Sequence, residues 1–195
     1  MTYEEMRAEL KKRLKPSRYE HSLGVAETAA FLAKRFGVDE NKARIAGLLH
    51  DCAREYKNEE LILEAAKRDI KITPIDRAMP LLLHAYIGAK RISELYGVYD
   101  KEIATAIYSH TVAGSNMTAL DKIIWFADMI EPQRDYQEVG MLRDLAKKSS
   151  LNDMMLAGLT QSILFVTKKG QLIHPNTVIA RNELLLEKIA LSKEG

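Results

Sequence analysis

Apolar residues recur along most of this chain at three- and four-residue intervals, the spacing of helices buried along one side. TYEEMRAELKKRL opens with Thr2 and Glu5 at the spacing of a capping box. SRYEHSLGVAETAAFLAKRFG follows Pro16 and stops at Gly37, a glycine stop signal. Asp39 is expected to cap ENKARIAGLLHDC, and Asn58 to cap EELILEAAKRD. Pro80 precedes LLLHAYIGAKRISELYG, ended by Gly97. The remaining helical stretches are DKEIATAIYSH, TALDKIIWFADMIE, EVGMLRDLAKKS, LNDMMLAGLTQSILFVTKKG and NTVIARNELLLEKIA. There is no sustained period-two alternation and no hairpin turn pair. The pattern predicts an all-α fold, a single compact helical domain over 1–195. Its ligand core is expected at 17–132, with the C-terminal helices of 138–192 packed on it and the last two forming a small appendage. The most loop-like stretches are 112–116 and 132–140.

Composition narrows the function. Of 195 residues, 47% are apolar, enough for a substantial core. The net charge of +2, from 29 basic and 27 acidic residues, argues against coating nucleic acid or an anionic membrane by bulk charge. A small anionic ligand needs only a local basic cluster. Cys52 is the one cysteine, so no intrachain disulfide can form, which fits a reducing compartment. The charged start MTYEEMRAELKKRLK lacks the apolar centre of a signal peptide, and no apolar run reaches membrane-spanning length. These features predict a cytoplasmic protein with neither nucleic acid nor membrane as partner.

The five histidines change the picture. His21, His50, His84 and His110 stand in apolar helical contexts, as do Asp51 and Asp128. A single core histidine usually signals a satisfied hydrogen bond. Six such groups, however, would each need a partner if buried apart, whereas one or two shared cations would satisfy them together. Imidazole and carboxylate suit iron, manganese, cobalt or zinc, and a set without thiolate argues against a structural zinc site. His50 and Asp51 are adjacent, and successive helical residues point about 100° apart. They converge only if the helix ends there. Asp51 then either bridges two ions or, more simply, caps a helix or pairs with Arg54.

The series His21, His50-Asp51, His84, His110 and Asp128 resembles the ligand set of the HD-domain metal-dependent phosphohydrolases. RYEHSLGVAETA, AGLLHDCAREY, LLHAYIGAK, AIYSHTVAGSNMTALDKIIWFADMIEPQR and TVIARNELL are similar, in order, to the YqeK-type family of bacterial symmetrical diadenosine-tetraphosphatases. The resemblance implies one ion on His21, His50, Asp51 and Asp128, and a second on Asp51, His84 and His110, with Asp51 bridging. It implies two transition-metal ions, iron before manganese or cobalt. It also implies hydrolysis of diadenosine tetraphosphate to two ADP by an activated water positioned at Asp51. The chain departs from the family pattern in two loops. Val112, Ala113 and Gly114 stand where the family has Thr-Gly-Arg, and Gln133 stands before Arg134 in place of glycine.

Phosphate contacts are expected from Arg18, three residues before His21, and from Lys122, Arg134 and Arg181, with Thr111 donating a hydroxyl. Glu131 and Asp121 are candidate acceptors for ligand imidazoles. His174 reads as a structural loop residue and Cys52 as a packed one. The alternatives are another HD nucleotide phosphohydrolase, such as a nucleotidase or a guanosine-tetraphosphate phosphatase, and a non-enzymatic metal-dependent nucleotide sensor. The terminal helices offer faces for a homodimer.

Overall fold

Pro16 in the first turn and Gly37 at φ 68° bracket α2 (Pro16–Phe36) in a computed structural model that describes residues 1–194. The expected domain ran one residue further, and Gly195 lies outside the described residues. Thr2 and Glu5 close the capping box of α1 (Tyr3–Arg13), with the Thr2 N–H donating to Glu5 at 2.7 Å. Asp39 accepts from the N–H groups of Asn41 and Lys42 and starts α3 (Glu40–Leu49).

α3 stops three residues short of the expected end. The chain leaves it through tight turns, Cys52 N–H to Leu49 and Arg54 N–H to Asp51, so the His50-Asp51 pair lies where the helix gives out. Lys57, not Asn58, occupies the N-cap of α4 (Asn58–Lys67), because Glu60 reaches back to the Lys57 N–H at 2.7 Å. The pattern also missed α5 (Pro74–Ala78), whose five residues are too few to show a period. It forms because Thr73 and Asp76 make a capping box with Pro74 in the first turn. A 3₁₀ turn, Pro80–Leu82, then leads into α6 (Leu83–Tyr96), which ends at Gly97.

Asp100 caps α7 (Lys101–Ser109), and Thr118 with Asp121 opens α8 (Ala119–Ile130). α2, α3, α7 and α8 pack into a central bundle around Leu32, Leu48, Leu49, Ile107, Ile123 and Phe126, all fully buried. Backbones touch where α3 crosses α2: a Cβ on Gly47 would lie 2.8 Å from the Ala26 Cα. α4 and α6 bury a second cluster on Leu61, Leu83, Tyr86 and Ile87, which Val112 joins.

The last three helices are α9 (Val139–Lys148), α10 (Leu151–Lys168) and α11 (Pro175–Glu194). The last two form no appendage. Met154, Met155 and Leu159 of α10 and Ala180 and Leu184 of α11 belong to the same buried cluster as Phe126. α10 comes this close because residue 158 has no side chain. A Cβ there would meet Trp125 at 2.8 Å and Phe126 at 3.2 Å, both ring atoms of α8. Gly158→Ala is therefore expected to cost about 1–3 kcal/mol, read as a lower urea midpoint, because buried rings cannot yield as a flexible side chain would. An unchanged midpoint would show that α10 has room to move. Among the described residues, no helix is long and apolar enough to cross a membrane.

Candidate metal centre

Four helix ends and one helix interior meet beside the central bundle. His50 caps the C-terminus of α3 and His110 that of α7. His84 is the second residue of α6, Asp128 lies in the last turn of α8, and His21 lies within α2. Helix ends leave carbonyls without intrahelical partners, and the histidines use them. The His50 Nδ1 donates to the Gly47 carbonyl at 2.6 Å and the His110 Nδ1 to that of Ile107 at 2.6 Å. The His84 Nδ1 donates to Leu81, again three residues back. Inside α2 the carbonyls are taken, so His21 turns its Nδ1 to the Glu131 carboxylate at 3.0 Å. A proton held on every Nδ1 leaves every Nε2 as an inward lone pair.

These lone pairs converge on Asp51. Its Oδ1 lies 3.0 Å from the His84 Nε2 and 3.7 Å from that of His110. Its Oδ2 lies 3.5 Å from the His50 Nε2 and 3.7 Å from that of His21. The Asp128 Oδ1 is 3.1 Å from the His21 Nε2 and 3.9 Å from that of His50. The Nε2 atoms of His21 and His50 are 3.2 Å apart, and those of His84 and His110 are 3.0 Å apart. With the rings neutral, acceptor faces acceptor, an arrangement that repels unless cations stand between. The donor set, four imidazoles and two carboxylates, suits a mid-series transition metal. Three groups each place ligand atoms within 4.8 Å of one another: His21, His50 and Asp51; Asp51, His84 and His110; His50, His110 and Asp128.

The protonation of His50 and His84 agrees with this, while the carboxylates beside His21 favour its charged form until a cation takes the proton's place. Burial pushes His50 down to about 4, despite the adjacent Asp51, and lowers His84 as well. Burial would also lower His21, but Asp128 and Glu131 carry it above the ordinary value. Burial works against the charge on Asp51, yet His50 and the contacts from His110 and His84 hold its carboxyl well below the usual range. Asp128 is likewise held low, with His21, His50 and Arg134 outweighing burial.

The basic residues divide. The Arg18 Nη1 donates to the Asp51 Oδ2 at 2.8 Å. Arg134 donates from Nη2 to the Asp128 carboxylate and from Nε to the Asp128 carbonyl at 2.7 Å. Thr111 lies with its Oγ1 3.2 Å from the His110 Nε2. Lys122 instead donates to Asn152 of α10 and lines a separate cavity with Gly114, Asn116, Glu183 and Glu187. Arg181 donates from Nε to Thr160 at 3.0 Å. The partner of Asp51 is thus Arg18, not Arg54. Arg54 is the residue that sequence reasoning undervalued. It is half-buried among Arg18, Arg134, Asp51 and Asp128, with burial and the two arginines disfavouring its charge, and among the described residues it makes no ion pair. Its position three residues after Asp51 in a one-turn loop was the available signal.

Glu131 is the carboxylate acceptor expected for a ligand imidazole. Asp121 is not at the centre, since it caps α8 through Thr118. The altered loop after Thr111 brings in no cation. Val112 and Ala113 are buried, Ala113 at a left-handed φ of 60°, and the Val112 carbonyl accepts from Thr177. His174 is remote, 3.6 Å from Asp76. Burial lifts the Cys52 thiol to about 12. An alkylating reagent at pH 8 is expected to spare Cys52 until the chain is unfolded. Modification of the native protein would show that this turn opens.

An all-α bundle whose helices gather four histidines around an aspartate from a His-Asp pair defines the class of HD-domain proteins. The HD domain family model matches residues 18–133, a span that holds all six residues of the cluster, and the chain belongs to that family. Within it, the chain is 39% identical over 183 residues to the "Bis(5'-nucleosyl)-tetraphosphatase, symmetrical" of Halalkalibacterium halodurans, covering 92% of this chain and 95% of the relative. It is 37% identical over 185 residues to the Bacillus subtilis protein of the same name, covering 95% and 98%. Its fold matches the crystal structure of a protein from Clostridium acetobutylicum described as a "predicted HD superfamily hydrolase involved in NAD metabolism". The TM-score is 0.91 at 37% identity, covering 96% of this chain and 98% of that one.

Proposed function

We propose that this protein hydrolyses diadenosine tetraphosphate and related dinucleoside polyphosphates symmetrically, to two ADP, at a dinuclear transition-metal centre. The observation that carries the reading is the division of the Asp51 carboxylate, one oxygen towards His84 and His110 and the other towards His21 and His50. The names of the two bacterial relatives support the substrate. His21, His50, Asp51 and Asp128 would hold one ion, and Asp51, His84 and His110 the other. Iron is the first choice, with manganese or cobalt as substitutes. When bound, such ions supply a water acidic enough to be a nucleophile at neutral pH and counter-charge for the phosphates.

The protein's own groups do the rest. Asp51, ionised and fixed by Arg18, sets the spacing of the two donor sets. Arg18, Arg54 and Arg134 present three guanidinium groups on the side of Asp51 and Asp128, where bidentate contacts would align the polyphosphate. Thr111 offers a hydroxyl beside His110. Lys122 and Arg181 donate to Asn152 and Thr160 of α10, and any phosphate contact from them would have to replace those bonds. The single buried thiol supports a cytoplasmic location. The exposed Leu186, Ile189 and Leu191 of α11 support a homodimer, testable by sedimentation over a concentration series.

The test is incubation of the metal-free protein, reconstituted with iron, manganese or cobalt, with diadenosine tetraphosphate. ADP is expected as the sole product. AMP with ATP would overturn symmetrical cleavage. Failure to turn over any nucleotide with any of the metals would overturn the enzyme in favour of the sensor.

A further inference from the structure

Beside the cluster, a cavity of about 620 Å³ runs between the C-terminal halves of α8 and α10 and the 131–138 loop. This is within the range of about 300–1,000 Å³ typical of small-molecule sites. His110, Thr111 and Asp128 line it, so it opens directly onto the candidate metal centre. Away from them its walls change character. Trp125 and Met129 of α8, Tyr136 of the loop and Leu164 and Phe165 of α10 supply apolar surface. Arg134, Gln161 and Lys168 supply polar groups.

Two of these walls are costly in water. Leu164 and Phe165 are each 57% exposed, yet they sit at the lip of a catalytic cleft. The Tyr136 ring is fixed by its hydroxyl, which donates to the Met129 carbonyl at 2.9 Å. The Lys169 ammonium sits 4.4 Å from the centroid of the Phe165 ring. Gln161 and Lys168 make no side-chain hydrogen bond or ion pair among the described residues, unlike Lys122 and Arg181. Fixed aromatic surface, unengaged polar groups and a cationic inner end match a purine nucleoside attached to phosphates.

We infer that this cavity is the nucleoside subsite. It seats one purine nucleoside of the substrate against Phe165 and Tyr136, with Gln161 facing the base, while Arg134 leads the phosphate chain to the cluster. The inference rests on the proposed hydrolysis and extends it, because it says which half of the substrate is gripped and by which residues. Base-on-aromatic stacking is sequence-tolerant. Phe165 therefore governs affinity for any purine nucleotide, and the choice of base lies with Gln161.

Trp125, the only tryptophan, lines the cavity and reports its occupancy by fluorescence. The experiment titrates ADP and, separately, inorganic pyrophosphate into the protein and into Phe165→Ala and Phe165→Tyr. Each variant is checked for fold by circular dichroism, and the substituted ring is exposed rather than part of the buried core. The expected result is that Phe165→Ala weakens ADP by about tenfold, while pyrophosphate is unaffected and Phe165→Tyr restores ADP. Unchanged ADP affinity in Phe165→Ala would overturn the subsite. So would an equal loss for pyrophosphate, or a change in oligomeric state in place of a change in ADP affinity. ADP binding through Phe165 by a protein that does not cleave diadenosine tetraphosphate would uphold the subsite and overturn the hydrolase reading.

Discussion

Asp51→Ala is expected to reduce hydrolysis by more than about 10³-fold and to lower the content of both ions, measured by turnover and by metal analysis of the same preparation. The size of the effect follows from the position of the carboxylate. Its two oxygens face two separate histidine pairs, so no other side chain can replace it for either. Removing it would also leave the four imidazoles without the negative charge that draws cations among them. Arg18 would lose its acceptor at 2.8 Å, and a half-buried guanidinium would stand beside the imidazoles. Asp51→Asn separates charge from shape, since the amide keeps the volume and one acceptor oxygen. It too is expected to lose most activity, because the attraction for cations is gone. Near-native turnover in Asp51→Ala, or loss of one ion alone, would refute the bridging role.

A second large effect is expected at Glu131. Its side chain is buried, accepts from the His21 Nδ1 at 3.0 Å, and accepts from the Gln133 N–H at 2.8 Å with its other oxygen. Glu131→Ala strands the His21 N–H, loosens the ring and lowers its basicity. Outer partners of this kind change metal affinity by about 10–100-fold. The loss should fall on the ion held by His21 and spare the one held by His84 and His110, whose rings rest on backbone carbonyls. Stepwise chelator competition reads the two separately. Glu131→Gln keeps an acceptor and should recover part of the affinity, which a role in packing alone would not give. Equal weakening of both ions would sink the proposal. Gly24 belongs to the same device, since a Cβ there would lie 2.6 Å from the Glu131 carboxylate.

Much of the helical framework was legible because its signals are local. A Thr2 hydroxyl with Glu5, an Asp39 carboxylate and the glycines at 37 and 97 act within one turn of themselves, so spacing along the chain is spacing in space. The errors had local causes too. α3 ended early because the chain turns tightly at His50, and α5 was too short to show a period. The six polar residues of the cluster stood out because groups so placed in apolar helices need partners. Their family pattern then suggested a common one.

The cationic residues were harder to read, because which way an arginine faces depends on how its helix packs. Lys122 and Arg181 have the right spacing, but α10 takes both, through Asn152 and Thr160. Arg54 reads from the sequence as a partner for Asp51, a place that Arg18 takes in the fold. Periodicity, caps and residue chemistry, all short-range, were enough by themselves to determine an all-α chain and a candidate ligand series. The meeting of His21 with Asp128 and Glu131, the division of Asp51 between two histidine pairs, and the cavity between α8 and α10 join residues far apart in sequence. Only the tertiary structure decided them, because they depend on how closely whole helices approach, and that distance is set by packing at residues such as Gly47 and Gly158 rather than by any local preference of the chain.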